Sequence, residues 1–115
     1  MSKKDKMFDA LTTLLEEYNQ IQGVINSLPR GYISKKVISG HVYHYRQWRE
    51  GNRVLSDYVP DALLNGVRQK IVIRKESEEL LKITKKDIKK LEKALLKNGS
   101  ATEEEIAELN QKYGF

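Results

Sequence analysis

The sequence predicts an α+β chain: an N-terminal helix, a three-stranded antiparallel β-meander, then a long helix and a short C-terminal helix forming a helical hairpin. Three observations predict it. Apolar residues recur at helical spacing before residue 29 and after residue 60, the period falls to two between them, and short glycine breaks divide that middle stretch. The chain has 115 residues, 39% apolar and 32% charged. One domain over residues 1–115 is expected, because two independent cores would each be too small.

The first helix occupies residues 1–29. Met7, Leu11, Leu14, Tyr18, Ile21, Ile25 and Leu28 follow one another at spacings of four and three, a seven-residue repeat that calls for a partner helix. Phe8, Leu15 and Val24 widen the stripe, so burial within the chain and a coiled coil between chains both remain open. Ser2 with Asp5 supplies N-capping groups. Leu28-Pro29-Arg30-Gly31 stops the helix, since the residue before a proline is pushed out of the helical region.

Residues 31–59 form the sheet. Stretches 32–38, 41–49 and 53–59 are rich in Tyr, Val and Ile and are separated by Ser39-Gly40 and Gly51-Asn52, the signature of tight hairpins. Two-residue loops pair Ile38 with His41 and Glu50 with Arg53, and that register assigns each side chain to a face. One face carries Ile33, Val37, Val42, Trp48, Leu55 and Val59 and is expected to be the core face, with Lys35, His44, Arg46 and Asp57 among them. The other carries Tyr32, Lys36, Tyr43, Tyr45, Gln47, Arg49 and Tyr58.

Pro60 suits the first position of a helix over residues 60–98, which Asn98-Gly99 ends. Such a helix is roughly 55 Å long, against a radius of gyration of about 13 Å for a compact chain of this size. It must protrude or break. Leu64, Val67 and Ile71 lose register across residues 74–79 before Leu81, Ile88, Leu91 and Leu95 resume, so any kink is expected at residues 73–79. Thr102 and Glu105 form a capping box for a last helix over residues 102–113, with Ile106 and Leu109 inward.

The net charge of +5 is unevenly spread: residues 29–58 carry +4 and residues 59–98 carry +5, whereas the two ends are acidic. A polyanion can use that asymmetry. It argues against a nucleic-acid mimic, which would be acidic. There is no cysteine, so disulfides, thiol nucleophiles and thiolate metal sites are excluded and a reducing cytoplasm is the simple reading. The interrupted apolar pattern after the N-terminal lysines predicts neither a signal peptide nor a membrane span.

Leu28-Pro29-Arg30-Gly31, Tyr43-His44-Tyr45, Trp48-Arg49-Glu50-Gly51 and Ser56-Asp57-Tyr58-Val59-Pro60 leading into a charged helix resemble a prokaryotic family of uncharacterised domains. That family has a Leu-Pro-x-Gly lead, a tyrosine-rich hairpin, a Trp-Arg-Glu-Gly-like turn and a Tyr-Val-Pro exit. The resemblance covers residues 28 to about 90 and implies no activity. Some relatives carry a cysteine-rich insertion ahead of the tyrosines, and its absence here removes an inherited metal expectation. A looser fold-level analogy is to the three-stranded arm-binding domains of phage integrases.

The chemistry-bearing residues argue against an enzyme. His41 and His44 are three apart on one strand and point to opposite faces, so they cannot share a metal ion. The carboxylates fall on helical surfaces or in a first turn, and phosphate loops, nucleophile elbows and dinucleotide fingerprints are absent. No cofactor and no small-molecule substrate are expected. The candidate site is a nucleic-acid interface of Lys36, Tyr43, Tyr45, Gln47, Arg49 and Arg53 for DNA or RNA, with cations for phosphate and phenol rings for stacking. Arg30, Lys35 and Arg46 lie nearby, Arg46 opposite Asp57 as a cross-strand pair, and Trp48 reads as core. Tyr is also an ordinary strand residue, so the same face packed under the helices is the plain alternative. The competing function is a coiled-coil interaction module, or a mobile-element or phage regulator of a host protein. It would act through the seams Leu11, Leu14, Tyr18, Ile21, Ile25 and Leu81, Ile88, Leu91, Leu95, pairing with another protein or as a homodimer.

Overall fold

A computed structural model describes residues 3–115, with side chains from Lys6 onward, so the N-cap expected of Ser2 and Asp5 lies outside the described residues. The elements run α1 (Lys3–Ser27), β1 (Tyr32–Ile38), β2 (His41–Glu50), β3 (Arg53–Val59), α2 (Asp61–Lys97) and α3 (Glu103–Tyr113). This is the α+β order the sequence predicts. The chain forms two compact units, one of residues up to Ile25 with Ser77–Phe115, the other Asn26–Glu76. Among the described residues, no helix is long and apolar enough to cross a membrane.

The helical unit is built on Leu11, Leu15, Ile88 and Leu95, all fully buried, with Ala101 and Ile106 beside them. Each such Leu or Ile contributes about 1.5–3 kcal/mol through burial. Leu14, Tyr18 and Leu91 pack round this centre, so the α1 seam finds its partners within the chain. Ile21 and Leu81 are half-buried and Ile25 is buried, but these three stand outside that cluster. Leu15, which only flanks the heptad seam, is more buried than Ile21 because a true helical period of 3.6 drifts off a strict heptad. The end of α2 closes in a Schellman motif, Ser100 N–H donating to the Leu95 carbonyl at 2.9 Å and Gly99 N–H to that of Leu96 at 3.2 Å. Thr102 and Glu105 then form the expected reciprocal capping box at the start of α3.

α2 is helical without interruption through residues 73–79, the stretch to which any kink was assigned, so residues 61–97 form one helix. Nothing there breaks a helix: the stretch holds neither Gly nor Pro and consists largely of good helix formers.

In the sheet unit the strands pair in the order β1-β2-β3, both pairs antiparallel. The register is the one derived from two-residue loops, with Ile38 opposite His41 and Glu50 opposite Arg53. Ser39 (φ 52°) and Gly40 (φ 81°) give the first hairpin the doubly positive φ of a type I′ turn. Ahead of β1, Gly31 has φ +102°, and a Cβ there would collide with the Gln47 carbonyl oxygen, 3.0 Å from Trp48 Cβ. Only glycine lets the Leu-Pro-Arg-Gly lead lie this close against β2.

The expected core face is covered over one half only. Val59 is buried, and Leu63, Val67 and Lys70 of α2 share a cleft with Arg46, Asp57 and Val59. Val37 and Val42, assigned to the same face, are 65% and 46% exposed. The alternation was read correctly, but burial there requires a covering element as well as a face, and residues 26–30 and α2 reach only as far as Arg46 and Val59.

Candidate nucleic-acid interface

The pairing fixes what each face of the sheet can do. Tyr32, Gln47 and Ser56 lie in one row across the strands, Ser34, Tyr45 and Tyr58 in the next, and Lys36 opposite Tyr43 in the third, all on the face away from Val59. Arg49 follows Gln47 by two residues on that face. Both strand carboxylates, Glu50 and Asp57, fall on the other face. The tyrosine face thus carries cations without a counter-charge of its own.

Its aromatic rings support one another. Tyr58 meets Tyr43 and Tyr45 edge-on, with centroids 6.2 and 5.8 Å apart, and Lys36 Nζ stands 4.7 Å from the Tyr45 ring centroid. Such contacts fix the rings against one another at about 0.5–1.5 kcal/mol each. Tyr32 and Tyr58 are more than half exposed, Lys36 and Arg49 are exposed, and Tyr43, Tyr45 and Gln47 are half-buried. Tyr32 O–H donates to Gln47 Oε1 at 2.7 Å.

Five of the six expected interface residues, Lys36, Tyr43, Tyr45, Gln47 and Arg49, therefore share one face. Arg53 does not: it pairs with Glu50 in register and takes the opposite face. Tyr32 and Tyr58 belong to the band though the expected site omitted them. The signal was available, since the register that pairs Ile38 with His41 also sets Tyr32 beside Gln47, and that of Glu50 with Arg53 sets Tyr58 beside Tyr45.

On the other face Arg46, with Arg30 and Arg74 beside it, is engaged in holding the fold. Arg46 Nη1 donates to the Arg30 carbonyl at 2.7 Å, Nη2 lies 3.8 Å from Asp57, and the guanidinium stacks 3.8 Å from the Trp48 ring centroid. Arg46 is thus a clamp between the lead and the sheet. Trp48 Nε1–H donates to Glu50 Oε1 at 3.2 Å, Arg30 Nη2 is 3.3 Å from the same oxygen, and Arg74 donates to the Leu28 carbonyl. These residues line a cleft of about 390 Å³. Its charged groups already have protein partners, which leaves the cleft little to offer an anion. His44 lies on this side with Nδ1 4.0 Å from Asp61, and His41 on the tyrosine face. Among the described residues no group of three His, Cys, Asp or Glu could hold a metal ion.

Residues 5–69 match the family described as "Domain of unknown function (DUF6788)", which is more than half of the chain, and the chain belongs to that family. The match starts earlier and stops sooner than the motif-bearing stretch from residue 28 to about 90, taking in most of α1 and only the start of α2. No curated protein matches the chain, and no solved structure does.

Proposed function

We propose that this member of a family without an assigned activity is a small, non-enzymatic nucleic-acid-binding accessory protein that lays the tyrosine face of its sheet on a polyanion. One observation carries the reading: the face away from the α2 cleft holds Lys36 and Arg49 among tyrosines and bears neither strand carboxylate, since both lie behind it. Phosphate contacts would come from Lys36 and Arg49, and Tyr43, Tyr45 and Tyr58 would stack on bases or donate to phosphate oxygens. A β-ribbon also fits the DNA major groove, about 12 Å wide.

Fluorescence anisotropy of the purified chain on labelled nucleic acid tests it. Neutralising about five phosphates gives a log-log salt slope near −4 to −5. Lys36→Ala with Arg49→Ala should weaken binding and make the slope shallower by about 2. Undiminished affinity in that double variant removes this face from the interface.

The second reading is a protein-interaction module, supported by Leu80 and Ile83, three residues apart on α2 and 50% and 56% exposed. It predicts self-association or partner binding that survives high salt and is lost when Leu80 and Ile83 become polar.

A further inference from the structure

We propose that Tyr32, Gln47 and Arg49, together on one face of the sheet, select guanine in the major groove of duplex DNA. The inference rests on the nucleic-acid reading and adds to it a polymer and a base. It starts from the hydrogen bond across β1 and β2, in which Tyr32 O–H donates to Gln47 Oε1 at 2.7 Å. The two residues are directly paired in register, so the bond is set by the ladder.

That bond decides what the amide can recognise. A carboxamide reads adenine by using its oxygen and nitrogen together, accepting from N6 and donating to N7. Gln47 Oε1 already gives one of its two lone pairs to the phenol, which biases the amide towards donating through Nε2. Guanine presents two acceptors on its major-groove edge, O6 and N7, and so suits an amide biased towards donating better than adenine, which pairs one acceptor with one donor.

Arg49 supplies a second reader, and this one is donor-only. It is exposed on the same face, two residues along β2. Its guanidinium fork matches guanine O6 and N7. Two residues of strand span about 6.4–6.8 Å, and two base steps about 6.8 Å. Gln47 and Arg49 are therefore spaced for two guanines with one base between them.

The test is anisotropy of the full chain at one fixed salt concentration on four probes. These are a duplex with guanines at alternate positions, the same duplex with 7-deazaguanine, a duplex of A·T pairs only, and the guanine strand alone. The guanine duplex should bind about tenfold tighter than the A·T duplex, the discrimination expected of one good bidentate contact. Loss of N7 in the 7-deaza duplex should remove most of that ratio. Tyr32→Phe frees the Gln47 oxygen and should shrink the preference for guanine over A·T to under about threefold, and Gln47→Ala should do the same. Equal affinity for the three duplexes with an ordinary salt slope overturns guanine selection and leaves the nucleic-acid reading standing. Tighter binding to the single strand overturns the major-groove assignment. An undiminished guanine preference in Tyr32→Phe overturns the role of the phenol, and no binding to any probe overturns this inference together with the reading beneath it.

Discussion

Replacing Gly31 with Ala probes how the family's Leu-Pro-x-Gly lead is seated on the sheet. At φ +102° a residue with a Cβ carries a conformational cost of about 1–2 kcal/mol. The added methyl also meets backbone: it collides with the Gln47 carbonyl oxygen and stands 2.9 Å from the Gln47 carbonyl carbon. Backbone in the middle of a sheet cannot swing aside as a flexible side chain would, so overpacking adds about 1–3 kcal/mol. The sum is a loss of about 2–5 kcal/mol, a large share of the 5–15 kcal/mol typical of a domain. Trp48 is the only tryptophan and its Cβ lies 3.0 Å from the new methyl, so urea unfolding followed by its fluorescence reports on this unit. Gly40→Ala is the control: φ is +81°, but no atom lies within 4 Å of its added Cβ, so only the conformational part of about 1–2 kcal/mol applies. Equal losses in the two variants, or a loss under about 1 kcal/mol at Gly31, would refute the steric argument.

Other consequences are as direct. Leu95→Ala should lower the stability of the helical unit by about 2–5 kcal/mol in denaturation followed by far-ultraviolet circular dichroism, because Leu95 is fully buried. Gly66→Ala should raise stability by about 1 kcal/mol in the same assay, since Gly66 is an exposed position inside α2 with nothing within 4 Å of an added Cβ. Tyr113 titrates above its ordinary 10.0, chiefly through desolvation, then through the Glu16 carboxylate that its hydroxyl meets at 3.3 Å. The folded chain thus holds this proton more tightly than the unfolded chain, so the stabilisation is complete below pH 10 and is lost as pH rises through the raised value. Stability measured from pH 9 to 11 should fall by less in Tyr113→Phe than in the parent.

The sheet was the most legible part of the sequence, because two-residue glycine loops leave a single pairing and that pairing sets both faces. The Tyr32 to Gln47 bond follows from the same register. Caps were legible too, since Thr102 and Glu105 act within four residues of each other. Longer-range features were not. The slip in apolar register near residue 74 left one helix or two open; local helix formers keep α2 continuous, and its buried apolar positions pass from Ile71 in the sheet unit to Ile88 in the helical one. Val37 and Val42 alternate correctly and still lie open, because no pattern in β1 or β2 records how far the covering segment reaches. Register alone places Arg46 opposite Asp57. Its bond to the Arg30 carbonyl depends on how the lead folds back, which spacing alone does not encode, whereas its other partner, Trp48, is two residues along on the same face of β2.

Under the proposed function one side of the ribbon meets a polyanion and the other does not, and side-chain resonances distinguish the two sides directly. Titrating the isotopically labelled chain with a short duplex should shift the Gln47 side-chain amide and the Arg49 Nε–H while the Trp48 indole N–H, on the opposite face, stays in place. A shift of the Trp48 indole with Gln47 and Arg49 unmoved would contradict it.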